Sequence, residues 1–100
     1  MTEQNNTATN VDATLAERGK RYGKFMDHAR ITQDLKAVVY NNMTQEKFDL
    51  LKPDQKEALD MICHKIGRIV NGDPDYHDSW HDIAGYAKLV ADRLETGKEV

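Results

Sequence analysis

The spacing of apolar residues in the last third of this chain limits its fold more than any other feature. Trp80, Ile83, Ala87, Val90 and Leu94 recur at steps of three and four without interruption. That period suits a helix of 3.6 residues per turn and not the two-residue alternation of a half-buried strand. Asp78 stands where an N-cap or first-turn acid belongs, and Gly97 offers a left-handed stop. A second run, Leu59, Ile62, Ile66 and Ile69, follows Pro53, whose fixed φ suits a first helical turn, and ends at Asn71-Gly72, two residues that tolerate the left-handed conformation. A third run, Phe25, His28, Ile31, Thr32, Leu35, Val38 and Val39, lies along one side of a helix ending near Asn41-Asn42. Upstream, the residues from Asp12 favour helix, but Gly19 and Gly23 each cost about 1 kcal/mol against alanine, which predicts a break near Gly23. Residues 43–52 read as a connection with a short helical turn, and 1–10 as a flexible leader to a single domain over 11–97.

No strand alternation or internal repeat competes with these stripes. The expected fold is all-α: a small bundle of three long helices built on an antiparallel hairpin of the last two, whose connection is short. One hundred residues bury only about two-thirds of the surface of the unfolded chain, so the core is thin and a homo-oligomer is expected. A net charge of -3 argues against a dedicated nucleic-acid binder, whose domain is ordinarily basic. Cys63 has no second cysteine to pair with, which suits a reducing compartment and a cytoplasmic location. No apolar run reaches the roughly 20 residues of a membrane span, so no membrane partner is expected.

Candidate chemistry falls on the faces left over. Glu57, Asp60, His64 and Arg68 step along one side of the Pro53 helix, and Asp78 and Asp82 sit one turn apart on the last helix, with Gly85 and Leu89 continuing that side. Two carboxylate pairs facing one another across a hairpin suit Mg²⁺, which takes oxygen ligands and bridges to phosphates. Acids at such spacing are also ordinary on a solvated helix face. Lys65 and Arg68 suit either phosphate binding or pairing with these acids, and His64 either a phosphate contact or a surface hydrogen bond. Trp80 belongs to the core stripe, which leaves Tyr86 as the base-stacking candidate. His28 reads as a satisfied core histidine and Cys63 as a small buried hydrophobe. Arg18, Lys20, Arg21 and Lys24, interleaved with Tyr22 and Phe25, form the one basic patch, suited to the phosphates of a nucleotide or to a solvated face.

The stretches RYGKF, HKIGRIVNGDP and DSWHDIAGYAKL resemble a family of short phage and prophage proteins of uncharacterised function. The C-terminal half is also similar to the MazG-like all-α nucleotide pyrophosphohydrolases, which cleave nucleoside triphosphates with Mg²⁺ held by an ExxE and an ExxD helix, usually as oligomers. That resemblance implies Glu57, Asp60 and Asp82 as catalytic acids, Glu57, Asp60, Asp78 and Asp82 as metal ligands, and Arg21, His64, Lys65 and Arg68 at the phosphates. The chain departs from the pattern at two places: Asp60 replaces the second glutamate, and Ser79 stands three before Asp82, with Asp78 one step further back. Two classes of function follow, a Mg²⁺-dependent pyrophosphohydrolase or a degenerate nucleotide-binding relative, and a non-enzymatic phage-encoded protein that sequesters a nucleotide signal or inhibits a host protein.

Overall fold

The computed structural model describes residues 2–97, with side chains from Asn10 onward. Five helices follow one another, α1 (Thr2–Tyr22), α2 (Phe25–Asn41), α3 (Gln45–Leu50), α4 (Pro53–Asn71) and α5 (His77–Thr96), and the described residues form no strand. Four helices are long, not three, because α1 continues from Thr2 through the stretch read as a leader.

Local chemistry accounts for the boundaries. Gly23, at φ 77°, makes the bend between α1 and α2. Thr44 caps α3 by accepting a hydrogen bond from the Lys47 amide at 3.2 Å. Pro53 opens α4, and the Lys52 amide is satisfied by the Gln55 side chain at 2.8 Å. Gly97, at φ 71°, closes α5 as a left-handed cap. Gly72 ends α4 for a different reason from the expected one: its φ is -131°, and a Cβ there would collide with the Arg21 carbonyl oxygen and the Tyr22 backbone.

α4 lies in the middle, with α2 and α5 on opposite flanks and α1 against its C-terminal end. Asp54 at the start of α4 forms a bidentate pair with Arg93 near the end of α5, and Lys65 meets Asp82 at 2.9 Å, so α4 and α5 run antiparallel. On the other flank Asp60 accepts a hydrogen bond from the Tyr40 hydroxyl at 2.7 Å, while His28 lies over His64, so α2 is antiparallel as well.

At about 100° per residue, these flanks divide the surface of α4 into two further sides. Glu57, His64 and Arg68 fall on one. Leu59, Ile62, Ile66 and Val70 fall on the other. The antiparallel neighbours continue the second side, with Ile31, Leu35 and Val38 on α2 and Trp80, Ile83, Ala87, Val90 and Leu94 on α5. The result is a single layer of three helices, polar on one face and apolar on the other. Among the described residues only Ala58, Cys63 and Ile69 are buried apolar side chains. Trp80, assigned to the core by its spacing, is exposed, with its indole N–H donating to the Pro74 carbonyl at 2.8 Å.

α2 approaches α4 closely only because residue 67 is glycine: a Cβ there would strike the Thr32 hydroxyl and the His28 ring. His28 cannot give way, since it is buried and its Nε2 is hydrogen-bonded to the His64 carbonyl at 2.9 Å. We expect Gly67→Ala to cost about 1–3 kcal/mol of packing strain, which outweighs the roughly 1 kcal/mol that alanine gains over glycine inside a helix. Gly85→Ala, where a Cβ meets nothing within 4 Å, should instead stabilise. Urea unfolding of the two variants beside the parent measures both signs.

Candidate functional site

The four carboxylates singled out by the sequence do not meet. Asp60 faces α2, held by Tyr40 and by Lys36 at 3.8 Å. Asp82 is engaged by Lys65. Asp78 does not serve as the N-cap of α5, a position held by Tyr76; it lies in the first turn and accepts hydrogen bonds from the Tyr76 hydroxyl at 2.9 Å and from the neighbouring His77. Those bonds hold its carboxyl below the usual carboxylate range. Glu57 is exposed on the open polar side. Among the described residues no three His, Cys, Asp or Glu side chains are grouped to hold a metal ion. The donors present therefore do not fit a shared Mg²⁺ centre within one chain.

The expected phosphate ligands separate in the same way. Lys65 is buried and spent on Asp82. Arg21 pairs with Glu17 at 2.8 Å and donates to the Tyr76 hydroxyl at 2.7 Å. Tyr86 is partly buried. His64 is half-buried beside His28, with ring centroids 4.5 Å apart. Arg68 alone is left over. Among the described residues it makes no ion pair, its Nε is buried without a hydrogen-bond partner, and its guanidinium carbon lies 4.1 Å above the Tyr22 ring.

Arg68 opens onto a cavity of about 580 Å³ at the elbow between α1 and α2. Leu15, Tyr22, Phe25 and His28 give it apolar and aromatic walls. Arg18 and Lys24 join Arg68 around it, and no acidic residue lines it. Neither Arg18 nor Lys24 has an ion-pair partner among the described residues. Its volume lies within the roughly 300–1,000 Å³ of small-molecule sites. Unpaired cations around an aromatic cup suit a ligand that is flat at one end and anionic at the other.

The end of α4 holds the elbow in shape. The Asn71 side-chain amide donates to the Tyr22 carbonyl at 2.8 Å and the Lys24 carbonyl at 3.0 Å, tying both sides of the bend, and the Asp73 amide donates to the Arg21 carbonyl at 2.6 Å. Read from the sequence, Asn71 is only a helix stop. Its clamp joins residues nearly fifty positions apart, and no local pattern marks it.

Two titratable groups of α4 are set by burial. The Cys63 thiol is pushed up, first by desolvation and then by Asp60, which leaves it a poor nucleophile. His64 is pushed down to about 4, chiefly by burial and next by the Arg68 charge. The unfolded chain binds that proton at the ordinary value of 6.5, so the contribution is complete above pH 6.5 and is lost as pH falls through about 4. His64→Gln should therefore flatten the fall of the melting temperature between pH 6.5 and 4 relative to the parent; equal slopes for the two proteins would contradict the assignment.

A family model described as Domain of unknown function (DUF6378) matches residues 7–94. No curated protein and no solved structure matches the chain.

Proposed function

The chain belongs to DUF6378, a domain family of unknown function, and we propose from the geometry of the elbow that it binds a phosphorylated aromatic metabolite, a nucleotide, in the cup between α1, α2 and the end of α4. One observation carries this reading: Arg18, Lys24 and Arg68 surround an aromatic cavity that no acid lines among the described residues. Arg68 is the costly member, since its buried Nε has no hydrogen-bond partner and a buried polar group left unpaired is unfavourable; Arg18 and Lys24 are exposed beside it and add positive charge at the mouth. A phosphate supplies the compensating charge, and Tyr22 and Phe25 offer faces to a base. The volume of about 580 Å³ suits one nucleotide better than a strand, in keeping with the net charge of -3.

Binding, without hydrolysis, is the favoured reading because three of the four acids that MazG-like resemblance implies for Mg²⁺, Asp60, Asp82 and Asp78, are committed to Tyr40, Lys65 and Tyr76, which leaves Glu57 by itself. Protein cations supply the countercharge here, so binding does not require magnesium.

Titration calorimetry with a panel of ribo- and deoxynucleoside mono-, di- and triphosphates tests the proposal. At least one nucleotide should bind, with affinity unchanged by EDTA and reduced about 10- to 100-fold in Arg68→Ala, the usual loss for a charge-assisted hydrogen bond. Glu57→Ala should bind like the parent. No heat with any nucleotide, or equal affinity for Arg68→Ala, would sink it.

A further inference from the structure

We infer that the apolar face of the α2–α4–α5 layer is the contact surface for a second copy of this chain, which closes the fold as a two-layer helical assembly. The inference is independent of the nucleotide reading, because the cup opens on the other face of the layer.

A helical domain ordinarily buries its apolar stripes between two packed layers. Here one layer stands alone. Val38, Val70, Trp80 and Leu94, one or two from each helix of the layer, are 64%, 62%, 55% and 59% exposed. On α4 and α5 the positions on this side include no Asp, Glu, Lys or Arg, and on α2 Asp27 and Asp34 stand at its outer margin, whereas the ion pairs of both seams lie toward the opposite side.

Area indicates what covers the face. The chain exposes 7576 Å², whereas a folded monomer of 11.4 kDa exposes about 5,800 Å². Its radius of gyration is 17.1 Å against about 13 Å for a compact chain of this length. Part of the excess belongs to α1, whose side chains from Asn10 to Lys20 are all exposed. A stable dimer hides about 800 Å² per partner, less than half the excess of about 1,800 Å². A surface that is apolar across its middle, with charge only at one margin, is complementary to itself under a two-fold axis, as an isologous interface requires. A lipid surface fits less well: the chain is acidic overall, and interfacial helices flank their apolar face with basic residues.

Light scattering and sedimentation of the full chain from about 1 to 100 µM provide the test, with Trp80, the only tryptophan, as a reporter. Twice the chain mass is expected at the upper end, with Trp80 emission shifting to the red on dilution and a melting temperature that rises with concentration. Val38→Glu and Val70→Glu both replace side chains that are already exposed in the isolated chain. Each should shift the equilibrium at least tenfold toward monomer. Gln33→Ala, an exposed position on the opposite side of α2, should leave it unchanged. A compact monomer across the range, whose melting temperature ignores concentration and both glutamate substitutions, overturns the inference; so does a monomer that instead adsorbs to neutral lipid vesicles through Trp80.

Discussion

α4 carries a neighbour on each flank, and the packing of those two flanks governs everything else in the molecule. Gly67 brings α2 against it, with no Cβ to hold the backbones apart. Asp54 and Lys65 fasten α5 on the other side. Both seams place their polar pairs toward one face of the layer. This arrangement forces the remaining apolar residues of three helices toward the opposite face, since a helix has only so much circumference to share. Polar and apolar faces are thus a single consequence of how α4 is flanked.

The cup follows from the same spine. α4 ends at Asn71, and that side chain reaches back to hydrogen-bond both carbonyls around the Gly23 bend. The bend brings Arg18 and Lys24 to Arg68, one turn before the end of α4. Arg68 is kept from the acids of its own helix by its seat over the Tyr22 ring. Lys65, three residues earlier, points into the α5 seam and is neutralised there. Two basic residues less than one turn apart thereby acquire opposite fates, one structural and one available to a ligand.

Much of the helical architecture is legible from local signals. Gly23, Pro53 and Gly97 act through backbone conformation alone, and each marks the boundary it suggests. The satisfied core role of His28 and the inert thiol of Cys63 also follow from their neighbours on the helix. Periodicity shows which residues share a side, but not whether that side meets another helix of the same chain. Trp80 illustrates the limit, since it shares the stripe of Ile83 and Val90 yet lies on its open edge. The candidate site depends on contacts between residues some fifty positions apart. Arg18 and Lys24 form a visible basic cluster, whereas Arg68 joins them only through tertiary packing. The acids are instructive in the opposite sense: Glu57, Asp60, Asp78 and Asp82 have a metal-like spacing, but Lys65 takes Asp82 as an ion pair, one of its two sequence readings, and Tyr40 reaches Asp60 from a helix that spacing does not consider.

If α4 is the spine of the molecule, it should also be the last element to open. Native-state hydrogen exchange, read amide by amide, measures that order directly. The account predicts the slowest exchange in α4 between Ala58 and Ile69, with the facing turns of α2 and α5 next and the outer half of α1 fastest. Amides of α4 exchanging as early as those of α1, or well before those of α2 and α5, would contradict it.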